Sequence, residues 1–262
     1  MSPTTAAIST LILVIAVALL LARRIGLLAQ RARKPWRLGI ALVLTLLSLP
    51  SLWFSVYYLH ILPETKLLYD LRAQPLSEWW LAFFLPAAVS WSAFIPRPLA
   101  VASYGLAIAA MLPPFLKPIR RPLDQSRLIE QWIGDSCIQS TESTCGPASS
   151  ATVLRFLGDK TATEKDLARR AWSTSSGTEA WHLARALRRR GRTVDFEFNG
   201  LPSPDHLPGV LGVNVTGNGH FIALLKCEGD LWTIADPLSG MEVISRQDLE
   251  KREISPFFMR IR

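Results

Sequence analysis

Between Trp79 and Leu116 only Arg97 carries charge. As one helix these 38 residues would run about 57 Å at about 1.5 Å per residue, nearly twice a hydrocarbon core of about 30 Å. Ile95-Pro96-Arg97-Pro98 supplies a turn at the centre, so the stretch reads as a hairpin of two spans, 79–95 and 98–116. Two uncharged runs precede it. The first, 6–22, ends at Arg23 and Arg24. A cleaved signal peptide carries its positive charge before the apolar core; here it follows, which indicates a retained span. The second, 38–61, has Trp36 at one end and Trp53, Tyr57 and Tyr58 towards the other, as interfacial aromatics do. Pro50 should kink it. Within 64–78, Leu67, Leu68 and Leu71 suit a short helix on the membrane surface or a plain loop. Residues 1–116 are thus expected to form an all-α, four-span region in the cell (inner) membrane, followed by a basic linker, 117–130.

Charge separates the halves. Residues 1–130 carry 13 Lys and Arg against 5 Asp and Glu; residues 131–262 carry 16 of each. The excess positive charge therefore flanks apolar runs, which suits anionic lipid headgroups, and the neutral half lacks a nucleic-acid footprint. The six basic residues from Arg23 to Arg37 favour a cytoplasmic first loop, which with four spans leaves residues 131–262 extracytoplasmic. Three cysteines, Cys137, Cys145 and Cys227, make neither a disulfide framework nor a zinc ribbon. No P-loop motif occurs, and no cofactor or metal is implied.

From Trp132 the composition becomes mixed and amphipathic. Gln139 to Gly158 reads as a polar loop entering a helix at Cys145, with Pro147 in its first turn, Ala148, Ala151, Val153, Leu154 and Leu157 on one face, and Gly158 as the stop. Thr163-Glu-Lys-Asp166 looks like a capping box opening a helix with Leu167, Ala168 and Ala171 on one face. Thr178 caps a helix to Arg190, with Leu183, Ala184 and Leu187 inward; Arg185, Arg188, Arg189 and Arg190 read as a solvated face. Strands follow at Thr193–Phe198, Val210–Val215, His220–Cys227, Leu231–Ala235 and Met241–Ile244, separated by glycine-bearing turns. Helices first and an antiparallel meander after them mean an α+β domain.

Taken singly, Cys145 reads as a small buried hydrophobe, His220 as a strand-end residue and Asp236 as a turn residue before proline. Together they read differently. A cysteine at a helix start sits beside unpaired N–H groups at the positive end of the dipole, which favours the nucleophilic thiolate. A hairpin turning at Glu228–Asp230, with eight residues on each side of Glu228, sets His220 and Asp236 at one open end. Cys145, His220 and Asp236 then have the roles of nucleophile, general base and orienter, and Gln139 can donate to a nearby oxyanion. His60, His182 and His206 fit these roles less well.

Gln139-x5-Cys145-Gly146-Pro147, Gly219-His220-Phe221 and Ala235-Asp236-Pro237 resemble the C39 family of papain-like cysteine peptidases, which process double-glycine leaders of bacteriocins. The resemblance covers about residues 131–262. It implies a papain-like fold, Gln139 as oxyanion donor, and hydrolysis of a peptide or protein substrate after a small pair such as Gly-Gly. Two departures stand out: Thr144 precedes the cysteine where many members have Asp, and the spans precede the peptidase with no ATPase after it. A separate transporter would then be a partner. The alternatives are a non-catalytic C39-like peptide-binding domain of a secretion or maturation system, an oxidised Cys137–Cys145 redox pair, and acyl transfer onto an amine in place of water.

Overall fold

The computed structural model describes residues 2–58, 62–215 and 217–262. It divides into two compact units, one built from 3–64 and 74–120, the other from 65–73 and 121–262.

In the first unit, helix α1 (Pro3–Arg31) runs on through Arg23 and Arg24, so the expected span 6–22 is part of a longer helix. Helix α2 (Lys34–Tyr57) begins at the basic loop, with Pro35 in its first turn, and continues past Pro50. Residues 59–61 of the expected span, including His60, lie outside the described residues. Helix α3 (Lys66–Arg72) belongs to the second unit. The expected span 79–95 is not one helix: a 3-10 turn (Ser77–Phe83) leads into α4 (Phe84–Trp91). Pro86 has no N–H to donate to the Ala82 carbonyl, so the α-helical ladder cannot run through both pieces. The expected span 98–116 breaks as well, into α5 (Arg97–Ala110) and α6 (Pro113–Arg120), bent by 46°, because Leu112, the residue before Pro113, is steered away from the α conformation. Among the described residues two helices, α1 and α2, are long and apolar enough to cross a membrane, or three if α5 and α6 act as one bent segment. The four-span expectation therefore reduces to two or three candidates. Polar clips join the pieces: Trp91 Nε1–H donates to Thr45 Oγ1 at 2.8 Å and the Ser55 hydroxyl to the Ala110 carbonyl at 2.6 Å.

The second unit opens on a small hairpin, β1 (Gln131–Ile133) and β2 (Ser136–Ile138). Three helices follow, α7 (Cys145–Phe156), α8 (Glu164–Arg170) and α9 (Ala180–Arg188). Then come β3 (Val194–Glu197), β4 (Gly209–Val215), β5 (Asn218–Glu228), β6 (Leu231–Asp236), β7 (Gly240–Ser245), α10 (Arg246–Glu250) and β8 (Ile254–Ile261). Strands β3 to β8 form one antiparallel sheet in the order β3-β8-β4-β5-β6-β7. The α+β order is as expected, but β8 is a strand that the sequence pattern hides. Pro256 interrupts its apolar run, which ordinarily demotes a strand; here the proline falls where the β4–β8 register shifts between Leu211 and Val213. One face of the sheet buries Leu211, Val213, Ile222, Leu224, Trp232, Ile234 and Phe258 against Leu249 of α10.

Local signals fare unevenly. Thr163 does cap α8, accepting from Asp166 N–H at 3.1 Å. The reciprocal half of the box is missing, since the Asp166 carboxylate pairs with Arg169, Arg170 and Arg190 instead. Thr178 does not cap α9; Glu179 occupies that position without closing a side-chain cap, and the Thr178 hydroxyl meets Ser173. The expected linker is only part linker: Lys117–Arg120 finish α6, while Leu123 and Leu128 are buried against Ala168.

The β4–β8 junction has no room for a side chain at Gly209. A Cβ there would lie 2.4 Å from Phe258 Cζ and 2.5 Å from the Met259 carbonyl oxygen. The ring can turn but the backbone cannot, so Gly209→Ala is expected to cost about 3 kcal/mol, read as a lowered unfolding midpoint of the full-length protein.

Candidate active site

The site forms where the start of α7 meets the open ends of β5 and β6. Cys145 is the first residue of α7 and is half-buried. Gly146 lets the helix approach β5, because a Cβ there would stand 3.3 Å from both Leu183 and Phe221. Ser149, one turn on, donates its hydroxyl to the Phe221 carbonyl at 2.9 Å. These two contacts set the height of the sulfur against His220, the residue before Phe221.

His220 Nε2 lies 2.9 Å from Asp236 Oδ1, and the Cys145 sulfur stands close enough to the same ring to raise its proton affinity. With Nε2 committed to the carboxylate, Nδ1 is the nitrogen on the sulfur side. The structure therefore brings three of the four expected site residues into one chain of contacts. The register that does so differs from the simple hairpin. A bulge lies between Leu224 and Lys226, and Ala223 stands opposite Ala235. Carried one residue further, that register sets Asp236 against Ile222, with His220 its diagonal neighbour on the same face. The displacement is two residues, and an even slip keeps a side chain on its face.

Electrostatics follow from this packing. Burial opposes a charge on His220, but the Asp236 hydrogen bond and the Cys145 sulfur outweigh it and raise the ring to about 9. Burial also works to raise Asp236, yet His220, the Leu238 N–H and Arg252 hold its carboxyl below the ordinary range. The Leu238 N–H donates to Oδ1 at 2.9 Å and Arg252 lies 3.5 Å from Oδ2.

Gln139 enters through the loop before α7. Its N–H donates to the Pro237 carbonyl at 2.9 Å, which ties it to the segment following Asp236. Its side-chain Nε2 donates to the Thr141 carbonyl at 2.8 Å, which holds one of the two amide hydrogens within the loop. The Thr144 hydroxyl donates to the same carbonyl at 3.0 Å and closes the loop. Glu164, fully buried on α8, accepts from Ser140 through both oxygens: from the N–H at 2.8 Å and from the hydroxyl.

Glu164 and Arg252 are the site-supporting residues that sequence reasoning missed. Glu164 was visible only as a first-turn acid beside Thr163. Arg252 had no local signal, because its place depends on how the chain returns after β7. Cys137 is a free, fully buried thiol in β2, and burial pushes it well above the ordinary thiol range, with the Glu164 and Glu130 charges adding to the effect. Cys145 is also free, so the redox pair considered from sequence is not formed. Among the described residues no group of His, Cys, Asp and Glu could hold a metal ion.

Comparisons with known proteins agree with this half of the chain. Residues 135–252 match the family model described as Peptidase C39 family. An uncharacterized protein of Methanothermobacter thermautotrophicus is 34% identical over 120 residues, covering 44% of this chain and 81% of that one. An uncharacterized protein of Methanothermobacter marburgensis is 33% identical over 128 residues, covering 47% and 87%. Among solved structures, the chain is similar to the peptidase domain of Streptococcus ComA, a bi-functional ABC transporter involved in a quorum sensing pathway. That match has 17% identity, covers 52% of this chain and 96% of the other, and has a TM-score of 0.41. It is also similar to a double glycine motif protease from an AMS/PCAT transporter, in complex with the leader peptide. There the identity is 18%, the coverage 51% and 89%, and the TM-score 0.38. Through the segment that carries Gln139, Cys145, His220 and Asp236, the chain belongs to the Peptidase C39 family.

Proposed function

We propose that this chain is a membrane-anchored cysteine peptidase. The observation that carries the reading is the His220–Asp236 hydrogen bond with the Cys145 sulfur beside the same ring, at the start of a helix. His220 holds its proton up to about pH 9, and an imidazolium beside a sulfur at a helix start favours the thiolate–imidazolium pair that such nucleophiles use.

The thiolate attacks the carbonyl carbon of the scissile peptide bond, and the C=O electron pair moves onto oxygen. The Cys145 N–H, unpaired at the helix start, and the other hydrogen of the Gln139 amide hold that oxyanion. As the tetrahedral species collapses, the C–N bond breaks and His220 Nδ1 gives its proton to the leaving amine. A water then loses a proton to His220 and attacks the thioester, releasing the acid and restoring the thiolate. Asp236 holds Nε2–H throughout, and that bond, the Leu238 N–H and Arg252 together keep the carboxylate ionised.

A substrate with a small pair such as Gly-Gly before the cut bond, and a separate transporter as partner, come to this chain from its family. The six basic residues between Arg23 and Arg37 support an extracytoplasmic peptidase domain. The test compares peptide termini in cells carrying wild-type protein or Cys145→Ala. Termini that follow small residue pairs should be present in the first and absent in the second. Identical sets of termini would overturn the proposal.

A further inference from the structure

Helix α3 is separated from the rest of its unit by residues 74–120, yet it is packed as a core element. Thr65 caps it, accepting from Leu68 N–H at 3.3 Å. Leu68 and Tyr69 are buried, while Leu67 faces outward. The Tyr69 ring makes contacts with Trp181 at 5.2 Å, Phe196 at 5.3 Å, Phe198 at 5.0 Å and Phe257 at 5.7 Å between centroids, the separations at which aromatic pairs attract beyond their area. The other end is held by charge. Arg185 Nε donates to the Arg72 carbonyl at 3.0 Å and Arg188 Nη1 to the Ala73 carbonyl at 3.2 Å. Two guanidinium groups thus satisfy carbonyls at a helix C-terminus, where the dipole favours cations. These are the arginines whose pattern in sequence suggested a solvated face; Arg185 is buried.

The seat of α3 continues to the site. Phe257 packs on Phe221 at 5.4 Å, and Phe221 is the ring that limits the approach of α7 at Gly146 and directly follows His220. Tyr69, Phe257 and Phe221 therefore form a continuous row of tilted aromatic contacts ending at the two backbones that carry the sulfur and the imidazole.

We propose that α3 is a working part of the peptidase unit, and that Tyr69 is a positioning residue which, through Phe257 and Phe221, keeps His220 against Cys145. The proposal rests on the thiolate–imidazolium reading above. It also requires residues 65–73 and 121–262 to lie on one side of the bilayer, so residues 74–120 cross it an even number of times.

The test uses full-length protein in lipid nanodiscs. Alkylation of Cys145 by iodoacetamide is followed by mass spectrometry from pH 5 to 9.5, beside a thermal melt. Wild type should react faster than a free thiol at pH 6, and Tyr69→Phe should match it, since the ring is kept. Tyr69→Ala should react about tenfold to a hundredfold more slowly at pH 6, as small displacements of reacting groups do, with a changed pH profile and a cooperative melt. If Tyr69→Ala fails to fold, Arg185→Lys replaces it; this variant keeps the charge, loses the Nε bond and should show a smaller loss in the same direction. A folded Tyr69→Ala, or in its place Arg185→Lys, with wild-type rate and profile would overturn the inference alone. Slow alkylation of wild type would overturn the peptidase reading and the inference with it.

Discussion

Replacing His220 with alanine is expected to lower peptide cleavage by about a thousandfold. The imidazole serves twice, keeping the sulfur as a thiolate and protonating the departing amine, and general acid–base groups contribute about 10²–10⁴-fold. The same change should slow alkylation of Cys145 at pH 6, since the proton that leaves the sulfur then has no acceptor. The fold should survive. Asp236 would still accept from the Leu238 N–H and face Arg252, so its carboxylate is not left without a partner. His206→Ala is the control. That ring pairs with Glu197 at 2.9 Å on a different part of the sheet, and its removal should leave cleavage unchanged. A His220→Ala protein that cleaves within threefold of wild type would exclude an imidazole at that position from the reaction.

How much of this was legible in the sequence follows from the range of each interaction. The start of α7 at Cys145 was written locally, in Gly146, Pro147 and the apolar spacing that follows. The meeting of His220 and Asp236 was also legible, although the hairpin register was displaced by two residues. Alternation of faces tolerates an even slip and would not have tolerated an odd one. What stayed hidden depends on distant chain. Strand β8 was concealed by Pro256, which is harmless only because β4 shifts register opposite it. The second half of the membrane region was read by hydropathy, which counts apolar residues but not the backbone donors removed by Pro86, Pro113 and Pro114. Arg185 looked like surface because a helix face shows charge and not what covers it. Its partner, the carbonyl of Arg72, lies 113 residues earlier.

Asp236→Asn should reduce cleavage by about a hundredfold and move the alkaline limb of activity to lower pH. The expectation follows from the balance at His220. Burial lowers its proton affinity, while the Asp236 hydrogen bond and charge, with the Cys145 sulfur, raise it to about 9. Removing the carboxylate leaves burial opposed mainly by the sulfur, so the ring gives up its proton at a lower pH and the ion pair is lost sooner as pH rises. The asparagine amide can also turn its NH₂ towards Nε2, which makes Nε2 the accepting nitrogen, places the proton on Nδ1 and leaves no acceptor on the sulfur side. Stability carries the same signs in wild type. The raised His220 contributes fully below the ordinary histidine value of 6.5 and its contribution is lost as pH rises through about 9. The lowered Asp236 contributes above its ordinary value of 3.8 and its contribution is lost as pH falls below that range. The pair is therefore intact from mildly acidic to mildly alkaline pH. Rate profiles of cleavage and of Cys145 alkylation, measured for wild type and Asp236→Asn, check this directly: an alkaline limb that stays near pH 9 in the variant would mean that the carboxylate does not hold the proton on His220.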